Sequence, residues 1–283
     1  MRLRRLAKVF ASFFKKKRLL PCCLDASRSR EQNTNMSQSA ALAALRGRIR
    51  LLERPVARPG GVLPFGVSAL DAHLPEAGLA RGALHEVAGG GADEATAASA
   101  TLFTAGILAR LERPVLWCSA LGDLFAPGLA CAGLEPERVL HVAAGHERDV
   151  LPVMEEALRH AGLAAVVGEM ARLPMVASRR LVLAAEKSGV LALVLRRRRE
   201  GAPAETGLNA AATRWCVTPL PSSPLASPGI GRARWQVALQ RCRGGEAGNW
   251  ILEACDAQGC LAIPAELASR EVAAGAQRRA ISA

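Results

Sequence analysis

Lysine is almost missing from most of this chain. Of 283 residues, only five are lysines: Lys8, Lys15, Lys16 and Lys17 near the start, and Lys187 far downstream. Any chemistry that needs an ammonium group therefore has one candidate after residue 17. Paired metal-binding cysteines are missing too. The eight cysteines (Cys22, Cys23, Cys118, Cys131, Cys216, Cys242, Cys255 and Cys260) include no Cys-x-x-Cys, and the last histidine is His160. No zinc site or other metal site is expected. Most of the thiols lie in apolar runs and read as small core residues of a protein kept in a reducing cytoplasm. No apolar run reaches the ~18 residues of a membrane-spanning helix, so no membrane partner is expected. A Gly-x-Ser-x-Gly elbow, a His-Glu-x-x-His helix and a full Gly-x-Gly-x-x-Gly are all absent. Nothing in the spacing of Ser119, Asp123 and His141 argues for a nucleophilic triad.

Positive charge is abundant but unevenly placed. The formal charge is +12, and residues 1–35 hold ten Lys or Arg against two acids, Asp25 and Glu31. The body is therefore far less basic than the whole-chain charge implies, and net charge alone does not argue for nucleic acid. Lys8 interrupts the first apolar stretch, Lys15–Arg18 closes it, and no small-residue cleavage site follows, which argues against a signal peptide. Residues 1–35 read as a disordered basic extension.

Pattern begins at Met36. Leu42, Leu45, Ile49 and Leu52 recur at helical spacing in 37–53, with Arg46, Arg48 and Arg50 off the stripe. The stripe is a candidate assembly surface. Pro55, Pro59, Gly60 and Gly61 form a linker, so 36–61 reads as an N-terminal helix and linker. The domain proper spans 62–270, followed by a tail over 271–283.

Within that domain apolar strands alternate with helices. Strands are expected over 84–88, 115–119, 139–143, 163–167 and 189–195, and helices over 95–111, 151–161 and 178–187. Continuous apolar strands alternating with helices indicate an α/β fold with a mostly parallel sheet flanked by helices. The pattern then changes to strands over 215–218, 235–243 and 250–254. In 235–239, Trp235, Val237 and Leu239 alternate with Gln236 and Ala238. These strands read as an antiparallel C-terminal extension of the same sheet, with 219–231 as a loop. Trp235 and Trp250 read as core.

The segment Phe65-Gly-Val-Ser-Ala-Leu-Asp71, then Gly78-Leu-Ala-Arg-Gly82, then Leu84-His-Glu-Val-Ala88, resembles the start of the ATPase core of RecA-like proteins. That resemblance implies a phosphate-binding loop next. A P-loop wraps backbone N–H groups around phosphate at a helix N-terminus, while its Lys and Ser/Thr serve the phosphates and Mg²⁺. Here the stretch is Gly89-Gly90-Gly91-Ala-Asp-Glu94-Ala95-Thr96. Glu94 stands where the second glycine would be and Ala95 where the lysine would be; only Thr96 keeps its type. The same alignment puts Leu121 at the water-activating carboxylate. The strand that should end in a metal-associated Asp runs into Gly168 and Glu169 instead. Glu169 and Asp123 are candidate displaced substitutes. A degenerate nucleotide loop, a non-enzyme and no cofactor are expected, with Gly89–Gly91 serving as a tight strand-to-helix turn.

A more specific resemblance is to the ImuA family. It is carried by Leu116-Trp117, Asp123–Leu129, Ala132–Val139, Met154–Leu158, Ser178–Ala185, Arg234-Trp235 and Leu239–Gly245, and it covers roughly residues 40–265. It implies a role in SOS mutagenesis and translesion synthesis after DNA damage. The implied partners are an ImuB-like inactive relative of Y-family polymerases and an error-prone C-family DNA polymerase, with RecA and DNA as further candidates. A SulA-like inhibitor of division and a DNA-binding RecA paralogue with residual ATPase are the rivals. Arg196, Arg197, Arg198 and Arg199 form a candidate DNA or partner contact after the last parallel strand. No aromatic residue in the loop behind them offers a base-stacking platform, and a solvated strand end is the alternative.

Overall fold

The computed structural model describes residues 60–91, 93–120, 122–197, 207–222 and 231–264, with 93–95 described by backbone alone. Residues 1–35, the helix expected over 37–53 with Leu42, Leu45, Ile49 and Leu52, Leu121, Arg198, Arg199 and the tail lie outside the described residues.

The first elements among the described residues are a short pair of antiparallel strands, β1 (Val62–Leu63) and β2 (Leu79–Ala80). Between them lie one α-helical turn, α1 (Ser68–Asp71), and a 3-10 turn over Pro75–Ala77. Asp71 closes this loop, because its two carboxylate oxygens accept the backbone N–H groups of Phe65 (2.7 Å) and Gly66 (2.9 Å). The main sheet follows: β3 (Leu84–Gly89), α2 (Asp93–Ala109), β4 (Val115–Ser119), α3 (Ala126–Leu129), β5 (Val139–Ala143), α4 (Glu147–Ala157), β6 (Ala165–Met170), α5 (Met175–Ser188) and β7 (Leu191–Arg196). Three further strands finish it: β8 (Thr213–Leu220), β9 (Arg234–Cys242) and β10 (Gly248–Glu253).

The eight strands lie in the order β10-β9-β8-β3-β7-β6-β4-β5. From β8 to β5 every pairing is parallel, and β8-β9-β10 pair antiparallel. The α/β class and the antiparallel extension are therefore as expected from the apolar pattern. Side chains alternate across the sheet, giving two apolar layers. One contains Val87, Trp117, Val167, Leu193 and Trp215, packed with Phe103, Ile107 and Leu108 of α2. The other contains Leu84, Val166 and Val194, packed with Val150 and Met154 of α4 and Leu181 and Ala185 of α5. Phe65, Phe103, Trp215 and Trp235 make a run of ring contacts in the first layer, with centroid separations of 5.2–6.4 Å. Trp235 is core as expected, and Trp250 is partly buried against it.

Several boundaries move for physical reasons. α4 starts at Glu147 rather than 151, and Glu147 Oε1 accepts the backbone N–H of Ala171 at 2.7 Å. β6 continues to Met170, so Glu169 stands inside the strand rather than after it. β8 runs through Pro219 to Leu220, a stretch expected to be loop. The register with β3 ends at Gly89 opposite Val217, so Pro219, though still paired with Trp235 of β9, lies beyond the last residue paired with β3. The thiols divide between core and surface: Cys118 is buried, whereas Cys131 and Cys260 are exposed.

Candidate functional site

Parallel sheets present their ligand-binding edge at the carboxyl ends of the strands. Here that edge carries the Gly89–Gly91 turn, the ends of β4, β6 and β7, and the residues just after them.

At the turn, β3 stops at Gly89 and α2 begins at Asp93. Glu94 and Ala95 fall in the first turn of α2. The glycines are required by proximity. A Cβ on Gly89 would lie 2.1 Å from Thr96 Oγ1, and one on Gly90 would lie 1.8 Å from Thr218 Oγ1. Gly90 N–H donates to the Val217 carbonyl at 3.0 Å. The turn is thus pressed between the buried Thr96 of α2 and Thr218 of β8. Lys187, the only lysine among the described residues, sits in the last turn of α5. That helix packs on the opposite face of the sheet from α2.

The second feature is a charged cluster on the α2 face. Trp117 of β4 and Glu169 of β6 lie on neighbouring strands and point to the same side. Trp117 Nε1–H donates to Glu169 Oε1 at 2.7 Å. Arg197, one residue past β7, donates Nη1–H to Glu169 Oε2 at 2.7 Å and Nη2–H to Asp123 Oδ2 at 3.1 Å. Burial pushes the Glu169 carboxyl above the usual carboxylate range, opposed by the Trp117 hydrogen bond and the Arg197 charge. Burial, with Glu169 adding to it, pushes the Cys118 thiol up to about 11. Both acids singled out in the sequence, Glu169 and Asp123, therefore meet in space, and Arg197 lies between them.

The third feature is a second buried glutamate on the other face. Glu86 of β3 receives Arg196 Nη1–H at 2.8 Å, Arg214 Nε–H at 2.8 Å and Asn209 Nδ2–H at 2.7 Å. Arg214 also donates to the Gly207 carbonyl at 2.9 Å. Successive residues alternate across a strand, so Arg196 and Arg197 leave β7 towards opposite faces. Each ends on a buried carboxylate. Of the basic run Arg196–Arg199, the two described members are engaged inside the molecule. Sequence reasoning missed Glu86, Asn209 and Arg214; the available signal was an acid within the apolar strand 84–88.

Ser119 and His141 also come together. Ser119 Oγ lies 3.1 Å from His141 Nε2, and Gly122 N–H donates to the same oxygen at 3.2 Å. Asp123 faces Arg197 rather than the imidazole, so the three residues do not form a triad chain. Among the described residues no group of three or more His, Cys, Asp or Glu side chains could hold a metal ion. No helix among them is long and apolar enough to cross a membrane.

No family model matches the chain. Among solved structures, the RadB recombinase is similar at 17% identity with a TM-score of 0.49, covering 71% of this chain and 99% of the RadB chain. Among curated proteins, Protein ImuA of Caulobacter vibrioides is 38% identical over 216 residues, in both strain NA1000 / CB15N and strain ATCC 19089 / CIP 103742 / CB 15. The match spans 73% of this chain and 88% of that relative. Identity at that level, over nearly three quarters of one chain and most of the other, means that this chain belongs to the ImuA family.

Proposed function

We propose that the chain is a non-catalytic, RecA-like adaptor in DNA-damage-induced translesion synthesis, a component of SOS mutagenesis that acts in the cytoplasm. Its proposed partners are an ImuB-like inactive Y-family polymerase and an error-prone C-family DNA polymerase. Family membership supports the pathway. The observation that carries the non-catalytic reading is the state of Glu169. It is the acid nearest the position where a RecA-like ATPase would hold its metal, and both of its oxygens are engaged by Trp117 and Arg197. The Gly89–Gly91 turn adds support, because Thr96 and Thr218 crowd the backbone that would otherwise wrap phosphate. The chemistry left to such a protein is recognition. Contact with DNA or with RecA is a further part of the proposal, and within the basic run it falls to Arg198 and Arg199.

The test is reconstitution with the purified ImuB-like protein and C-family polymerase of the same organism. The expected result is a ternary complex by size-exclusion chromatography, unchanged by ATP and Mg²⁺. Steady ATP hydrolysis by the chain would favour the recombinase-paralogue rival. Capture of the division protein in place of the ImuB-like protein would favour the SulA-like one.

A further inference from the structure

Two carboxylates at the carboxyl edge of a parallel sheet, one at the end of β6 and one just after β4, are the hard oxygen donors a divalent cation would use. Mg²⁺ and Mn²⁺ are commonly held by one or two carboxylates with water completing the shell. In this chain the space between Glu169 and Asp123 is taken by a side chain. The Arg197 guanidinium uses one nitrogen on each acid, at 2.7 Å and 3.1 Å. The acids differ in setting: the Glu169 side chain is 5% exposed and that of Asp123 is 44% exposed. Arg197 therefore links an inner carboxylate to an outer one, from buried core to solvent.

A nucleotide with its divalent cation is what the RecA-like resemblance implies for this edge, and the residues present do not fit it. We propose that Arg197 is a resident cation that takes the place of a divalent metal between Glu169 and Asp123. A guanidinium cannot lose its proton at accessible pH, and its planar fork matches carboxylate oxygens at fixed spacing. It is tethered to β7, whose backbone is tied to β6 through Arg197 N–H and the Met170 carbonyl at 3.0 Å. Its occupancy thus depends on neither metal nor nucleotide concentration. The ends of β4, β6 and β7 are held together by one covalently supplied charge, and the edge keeps a single arrangement where a metal-dependent site would have two. The corollary is specific: removing the guanidinium uncovers a divalent-cation site on Glu169 and Asp123.

This inference deepens the adaptor reading and fails separately from it. ATP binding by the wild-type chain would remove the adaptor reading, whereas the cation test uses no nucleotide. The full chain, its Arg197→Gln variant and the Glu169→Gln/Arg197→Gln double variant are titrated with MnCl₂ at about pH 8, where carboxylates are ionised. Free Mn²⁺ is read by electron paramagnetic resonance and folding by thermal melting. Arg197→Gln is expected to gain one site about tenfold or more tighter than any in the wild type. Mn²⁺ should raise its melting temperature, and the double variant should lose both effects. A folded Arg197→Gln chain with no new site overturns the proposal, as does a site that persists in the double variant. Equal binding by the wild type also overturns it. If Arg197→Gln folds only with Mn²⁺, the proposal is supported; if Mn²⁺ does not restore its fold, the proposal is overturned.

Discussion

The two buried glutamates divide the molecule into a closed half and an open one. Glu86 is enclosed: three side-chain donors converge on it from β7, β8 and the residue Asn209, and its side chain is 4% exposed. Arg196 and Arg214, which bind it, are 13% and 16% exposed. Glu169 is just as deep, but its cation is shared with the half-exposed Asp123. The Glu86 cluster therefore behaves as a permanent internal rivet. It ties the end of β7 to the start of β8, with both carboxylate oxygens engaged by largely buried donors. The Glu169 cluster reaches the surface, at the sheet edge where α/β proteins recognise ligands. The same residue types make a structural joint on one face and a replaced ligand site on the other.

The largest effect is expected on the closed side. Glu86→Ala strands Arg196, Arg214 and Asn209 without their common acceptor and should cost about 3–5 kcal/mol, as for other buried ion pairs broken from one side. Urea unfolding measures it. A loss below about 1 kcal/mol would mean that water replaces the carboxylate and the cluster is not closed.

Arg197→Gln should cost less, about 1–3 kcal/mol, because Arg197 is partly solvated and screening weakens its pair. Its pH dependence distinguishes it. Burial already raises the Glu169 carboxyl in the folded protein. A raised folded value means that the native state holds the proton more tightly than the unfolded state. Stability therefore falls as pH rises from the ordinary carboxylate range through the folded value. Removing Arg197 takes away a charge that opposes this shift, so the shift grows. The deficit of Arg197→Gln should be full at neutral pH and shrink as acidification protonates Glu169. Melting curves from about pH 8 to pH 5 check it. A deficit independent of pH would place the loss in packing.

At the Gly89–Gly91 turn, Gly90→Ala forces a methyl to within 1.8 Å of Thr218 Oγ1. The overpacking should cost about 1–3 kcal/mol. Thr218→Ala in the same chain should recover most of it, a coupling that only touching residues show. Additive losses would show that the turn shifts away from β8. The smallest effect is expected just past the end of α4. Arg159 pairs with Glu155 at 3.4 Å and Glu156 at 3.1 Å but is 61% exposed, so Arg159→Ala should change stability by about 0.5 kcal/mol or less.

Much of the sheet was legible in the sequence, for a stated reason in each case. β4 and β5 have the expected bounds because their apolar runs stop at polar or Gly-containing segments. The expected β6 ends three residues early because Glu169 looks like an exit from an apolar run, when it is a buried acid with its donors supplied from elsewhere. β1 and β2 are too short to show a period. The candidate site was legible only as separate residues. Arg196–Arg199 reads as one basic run, yet strand alternation sends its first two members to opposite faces. Glu169 stood out, but its partners lie 52 and 28 residues away at Trp117 and Arg197, a separation no local pattern reports. Ser119 and His141 sit on adjacent parallel strands, and only the pairing of β4 with β5 brings them together.

The carboxyl edge of the parallel sheet is proposed not to work on nucleotide, and calorimetric titration of the full wild-type chain with ATP and Mg²⁺ tests this most directly. No saturable heat is expected at cellular nucleotide concentrations. A low-micromolar dissociation constant that Gly90→Ala abolishes would contradict it.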